Sequence, residues 1–211
     1  MKYLSAIALS AAMLCSAASA MAADAREAFL SAPARVIPLL PNNTRLDMLD
    51  YFNSGLSTAS SNSMKGQSRI LALSDQAISI QLTEASQLDI ATLPAGSDTL
   101  IAVINTVATP APDSKLTIFT PGWKSDITAT AFTRPAVKDW LTAEGKKNAQ
   151  DVESLVPFML INYSYDPASA TLTLTNNTAS FMSDDIYSLV ADYLKPQLTY
   201  KWNGRKFVAQ K

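Results

Sequence analysis

The densest β signal in the chain runs from Ser97 to Trp123. Leu100, Ile101, Val103, Ile104 and Val107 leave no polar face on its first run, the pattern of a strand inside a sheet and covered on both sides. Leu116, Ile118 and Phe119 predict an antiparallel neighbour. Pro110 and Pro112 fall in the connection, where a missing N–H costs the sheet nothing. Upstream the period is two. Over residues 77–83, Ile78, Ile80 and Leu82 alternate with Ser79, Gln81 and Thr83, and Leu88, Ile90 and Thr92 repeat the alternation after a turn at 84–86. With a shorter run at 70–73, these segments predict an antiparallel meander.

Elsewhere the period is helical. Residues 24–31 read as a short helix ending before Pro33, and residues 45–54 as a second, with Asn43 or Thr44 as N-cap and Gly55 as its stop. Leu46, Leu49, Phe52 and Leu56 are its expected buried face. A helix over 134–141 with Pro135 in its first turn and further turns over 148–155 precede a strand–turn–strand at 158–175. Next, Ser183, Asp184 and Asp185 open a stripe of Ile186, Leu189, Val190, Tyr193 and Leu194 at helical spacing, with Leu189 expected at its buried centre. A hairpin over 198–208 turning at Asn203-Gly204 closes the pattern.

The fold class expected is therefore α+β: a mostly antiparallel sheet, built of a meander and hairpins, with a few helices packed on it. Residues 23–124 hold one helix-plus-meander group and residues 125–211 a second group of helices, strands and hairpin. They read either as one domain or as two similar halves, since Leu116-Thr117 leads to Trp123 as Leu198-Thr199 leads to Trp202.

Residues 1–22 change the picture of where the chain works. Lys2, an apolar run over 4–14, and the small residues Ala18, Ala20 and Ala22 match a cleaved secretory signal, implying a periplasmic or secreted protein. Cys15, the one cysteine, is preceded by Leu14 rather than a small residue, which argues against a lipid anchor. Cleavage would leave a mature chain without cysteine, hence without disulfides. At 48% hydrophobic and 17% charged residues the composition is that of a globular chain, with no membrane span expected after the signal. Lys2 is the only charge before residue 23, so cleavage leaves 16 basic against 18 acidic side chains, a poor match to nucleic acid.

The candidate chemistry is narrow. The chain has no histidine, which with the loss of Cys15 removes Ser-His-Asp and Cys-His catalysis and Cys/His zinc sites. Its 6 glycines never fall into a phosphate-cradling spacing. Carboxylate pairs remain, Asp47 with Asp50 and Asp184 with Asp185, each read as a solvated helix position rather than a glycosidase pair. No catalytic residue, metal site or cofactor is expected. The binding candidates are Tyr200, Trp202 and Arg205 in the last hairpin, set against the plainer reading of an aromatic face packed on the core.

Several stretches carry a resemblance. Ile37-Pro38-Leu39-Leu40 with residues 43–55, Ile104-Asn105-Thr106-Val107, the strand leading to Trp123, and Tyr193-Leu194-Lys195-Pro196 with residues 198–208 together resemble a family of uncharacterised secreted proteins from anaerobic Gram-negative bacteria, classed as a domain of unknown function. The resemblance implies an exported α+β protein and carries over no catalytic residue. The functional expectation is a non-enzymatic periplasmic or secreted binding or interaction protein, its partner an unknown envelope protein or ligand. A carboxylate-dependent envelope hydrolase is the alternative and a structural envelope component the third reading. A cleft with two inward carboxylates would favour the enzyme, and an apolar patch or open sheet edge would favour binding.

Overall fold

The computed structural model describes residues 24–56 and 58–210; the expected signal segment and Cys15 lie outside the described residues. Helix α1 (Ala25–Ser31) starts where Asp24 Oδ1 accepts the Glu27 N–H at 2.7 Å, a side-chain cap on an otherwise orphan donor. Helix α2 (Asn42–Asn53) begins directly after Pro41, earlier than expected, with neither Asn43 nor Thr44 as its cap. Its end is as read. Gly55 takes φ +69°, its N–H donates to Phe52 O, and Leu56 N–H donates to Tyr51 O, the paired bonds of a Schellman stop. The buried face is rotated from the expected one: Arg45, Met48 and Leu49 point inward, while Leu46 and Leu56 are 49% and 54% exposed. The rotation follows from Arg45, whose guanidinium is drawn in to the carbonyls at the end of α1.

Six strands form the first sheet: β1 (Ser60–Ser61), β2 (Gln67–Leu73), β3 (Ala77–Thr83), β4 (Ser86–Ala95), β5 (Asp98–Val107) and β6 (Asp113–Phe119), paired in that order and antiparallel throughout. β5 lies inside the sheet as its two-sided apolar pattern requires. Ile101 and Val103 face a layer made by α1 and α2, with Phe29, Ile37, Leu40 and Met48. Leu100, Ala102 and Ile104 face the opposite layer. Val107, at the strand end, is exposed. The β4–β5 turn is the two residues Gly96-Ser97, and Gly96 supplies its positive φ of +65°. Trp123 ends not a strand but a 3-10 turn (Pro121–Trp123) packed on the helix side, so its likeness to Trp202 stops at sequence.

The second sheet follows α3 (Thr128–Ala131) and α4 (Ala149–Leu155). It contains β7 (Ile161–Asp166), β8 (Thr171–Asn176), β9 (Gln197–Trp202) and β10 (Phe207–Ala209), again an antiparallel meander. The helix expected over 134–141 is a single 3-10 turn, Val137–Trp140. Leu141 is extended instead and bridges to Leu194, while Lys195 N–H donates to Trp140 O at 2.7 Å. That bridge also breaks the helix expected after Ser183. α5 (Asp184–Ser188) has five residues and a 3-10 turn (Ala191–Tyr193) succeeds it, because Leu194 must be extended to reach Leu141. Val190 and Leu194 are buried, but Leu189 is 59% exposed, the reverse of its expected place.

The closing hairpin also departs from its expected register. A two-residue Asn203-Gly204 turn would set Arg205 directly opposite Trp202, and opposed residues share a face. The observed pair is Trp202 with Phe207 across a four-residue loop, with Asn203 Oδ1 accepting the N–H groups of Arg205 and Lys206. Two aromatics thus enter the core together, 5.1 Å apart.

The fold is α+β with the first sheet in the middle: helices on one face, the second sheet on part of the other. The core between the sheets draws on Leu93, Ile104 and Ile118 from one segment and on Trp140, Leu172, Leu174 and Trp202 from the other. Edge strands β6 and β7 meet without a ladder. Asp113 Oδ1 accepts the Ile161 N–H at 2.9 Å and Ser114 Oγ the Tyr163 N–H at 3.0 Å, so side chains satisfy an edge that would otherwise stay open.

Candidate ligand groove

Because the second sheet stops at β7, part of the first sheet's inner face stays uncovered. Register sets what is displayed there. Ala77, Ala91 and Ala102 lie side by side on β3, β4 and β5, and the next row is Ser79, Asp89 and Ile104. Three alanines abreast leave a depression, and residues 162–165 of β7 wall it off. The result is a groove of about 450 Å³, within the size range of small-molecule sites. Its floor is apolar (Ala91, Ala102, Ile104) and its rim carries Ser79, Gln87, Asp89, Thr106, Asn162 and Ser164.

Asp89 is the one ionisable carboxyl on this lining. Gln87 Nε2 donates to both its oxygens, at 3.0 and 3.1 Å, and to Ser79 Oγ at 3.1 Å. Burial pushes the Asp89 carboxyl above the usual carboxylate range, while the bonds from Ser79 and Gln87 pull partly back. At the far rim, Ser114 Oγ joins Thr106 Oγ1 at 2.8 Å and Asn162 Oδ1 at 3.2 Å, tying the wall to the floor. Behind the wall, Tyr163 is 3% exposed, its hydroxyl has no hydrogen-bond partner, and desolvation pushes it up to about 12. Tyr165 rises to about 12 by the same cause, with Asp166 adding to it.

The sequence profile of the family described as protein of unknown function (DUF3256) matches residues 17–207. The chain belongs to that family. A solved structure described as a domain of an uncharacterized protein from Porphyromonas gingivalis W83 is similar to it, with a TM-score of 0.78 at 23% identity over 90% of this chain and 99% of that one. The likeness is one of fold. No functionally curated protein matches.

In this DUF3256 chain the residues expected from sequence to bind are dispersed. Trp202 is 7% exposed and its Nε1 donates to Pro94 O at 2.7 Å, fastening the second sheet to β4. Tyr200 is half-buried with its ring edge-on to Phe132 at 5.6 Å. Arg205 is exposed on the hairpin loop. Tyr200 and Trp202 belong to the core between the sheets, and Arg205 does not join them. Asp47, Asp50, Asp184 and Asp185 are exposed. Among the described residues no group of three or more His, Cys, Asp or Glu could hold a metal ion, and no helix is long and apolar enough to cross a membrane.

Sequence reading missed Ser79, Gln87 and Asp89 because alternation assigns them to a polar face, and a polar face ordinarily meets solvent. The available signal was the alanine at 77, 91 and 102. It becomes legible only once register sets those residues abreast and β7, some seventy residues later in the chain, rises beside them.

Proposed function

We propose that this protein is a non-enzymatic binding protein, exported to the periplasm or beyond, and that its groove between β3–β5 and β7 receives the ligand. One observation carries the reading: an alanine-floored groove of about 450 Å³ whose rim offers hydroxyls, amides and a single carboxylate. Carboxylate-dependent glycoside hydrolysis uses two carboxyl groups several ångströms apart. The groove holds Asp89 with amide and hydroxyl neighbours, a set that recognises rather than cleaves. The test is protein-observed NMR with a library of small polar fragments. Saturable shifts centred on Ala91, Ala102 and Asn162 support the reading; fragments that cluster elsewhere, with these amides unmoved, overturn it.

Export rests on the charged, apolar and small-residue pattern of residues 1–22. Intact-mass analysis of protein from fractionated cells should find a chain starting at Met21 or Ala23. A diacylated species starting at Cys15, or a cytoplasmic full-length chain, overturns it.

A further inference from the structure

The lining of the groove carries a single charged side chain, Asp89. Asp89 sits in mid-sheet between Ser79 and Ile104, with an alanine row beside it. A carboxylate has about four acceptor positions, and the side chains donating to this one are the amide of Gln87 and the hydroxyl of Ser79. The two ion pairs among the described residues, Arg134 with Asp113 and Lys147 with Glu144, leave Asp89 out. No Lys or Arg lines the groove. An anionic ligand would be repelled here, and a purely apolar one would strip water from the carboxylate with nothing in return. A cation is the group that compensates.

The surroundings narrow the cation. Beside Asp89 the groove is lined by apolar groups, with Ala77 at its accessible mouth, Ala91, Ala102 and Ile104 nearly buried at its base, and residues 162–165 of β7 along its other side. Ser79 Oγ stands next to the carboxylate as a neutral acceptor. A compact ammonium with several donors on an aliphatic stem suits such a pocket, where a planar guanidinium would call for two carboxylate oxygens free to accept side by side. Gln87 Nε2, 3.0 and 3.1 Å from the two Asp89 oxygens, already holds the side on which a guanidinium would pair with both. Resting on the reading of the groove as a ligand site, we infer that its ligand carries an alkylammonium group, seated on Asp89 with its stem over the alanine row.

An alkylammonium can come from a lysine side chain in a peptide or from a free small amine, and the probes separate them. The purified protein is titrated at neutral pH and low salt with Nα-acetyl-lysine amide, with cadaverine, and with Nα-acetyl-norleucine amide, which keeps the stem and lacks the amine. Binding is followed by NMR shifts and calorimetry. The expected result is saturable binding of an amine probe at Asp89, Ala91 and Ala102, at least tenfold tighter than the norleucine compound. The Asp89→Asn variant, with an unchanged amide spectrum outside the groove, should lose that tenfold preference. Tighter binding of the lysine amide with shifts along 162–165 assigns a peptide source; equal or tighter binding of cadaverine assigns a free amine. Equal binding of the norleucine compound, untouched by Asp89→Asn, overturns the inference and leaves the groove as a neutral-ligand site. No groove shift with any probe, while neutral fragments still bind there, also overturns it. Silence from fragments and amines alike defeats the groove reading itself.

Discussion

Arg45 is the side chain on which the two N-terminal helices close. Its Nη1 donates to Phe29 O, Leu30 O and Ala32 O at 3.0, 3.1 and 2.6 Å and its Nε to Leu40 O at 2.7 Å, so one buried cation satisfies carbonyls that the end of α1 leaves without partners. Burial lowers its hold on its proton. Arg45→Met would keep the volume and orphan those carbonyls, costing about 3 kcal/mol or more at 1–3 kcal/mol for each buried group left unpaired. Urea melts check it. Tyr163→Phe should have the opposite sign, stabilising or neutral in the same melts, because it removes a buried hydroxyl that has no partner. Asp89 acts through its charge. Its folded carboxyl is raised, so the native state binds its proton more readily than the unfolded chain. Ionisation therefore takes stability away as pH rises through the folded value. Asp89→Asn should match or exceed the parent's melting temperature at pH 7, with the gap closing in acid.

At the scale of elements, the C-terminal region turns on where helix gives way to extended chain. Helical spacing favours Leu189 as a core residue, but the Leu141–Leu194 bridge stops the helix short and leaves Leu189 in solvent. Leu189→Ala should change stability by less than about 0.5 kcal/mol, whereas Leu194→Ala should cost about 2–5 kcal/mol through lost transfer energy and a cavity. Equal costs in denaturant melts would mean that the helix runs on through Val190. The hairpin is a core element for a related reason. Trp202→Ala removes a buried ring packed edge-on against Phe207 and the bond to Pro94 O, and should cost about 3–5 kcal/mol.

At the scale of the molecule, the two sheets are held at one side by the shared core and at the other by the seam of Asp113 and Ser114 against β7. Tyr163 lies at this seam, and its phenol and that of Tyr165 are both raised from 10.0 to about 12. The folded state keeps these protons longer than the unfolded chain, so the stability they confer is intact below pH 10 and disappears as pH rises toward 12. Unfolding free energy should fall across that window, and less steeply in a Tyr163→Phe, Tyr165→Phe double variant. Absorbance at 295 nm should show the phenols of Tyr163, Tyr165 and Tyr200, all raised by burial, titrating late.

The sequence by itself located five of the first sheet's six strands, leaving out the two-residue β1 and falling short at the ends of β2 and β4. The alternation over 77–83 is β3, and the two-sided apolar run read from Leu100 to Val107 lies within β5. Local periodicity was enough there because successive strands pair with one another, so pattern and neighbour are set by the same stretch of chain. It also located Asp24 and Gly55 as helix boundaries, since caps and stops depend on adjacent backbone. Tertiary structure decided what depends on distant partners. Arg45 displaced Leu46 from the core because the carbonyls of α1 were waiting, and Leu189 lost its place to a bridge from Leu141. The groove belongs to this second class. Ser79, Gln87 and Asp89 look like any solvent-facing polar row until β7 rises beside them, and strand alternation says which face a side chain is on, not what will stand opposite it.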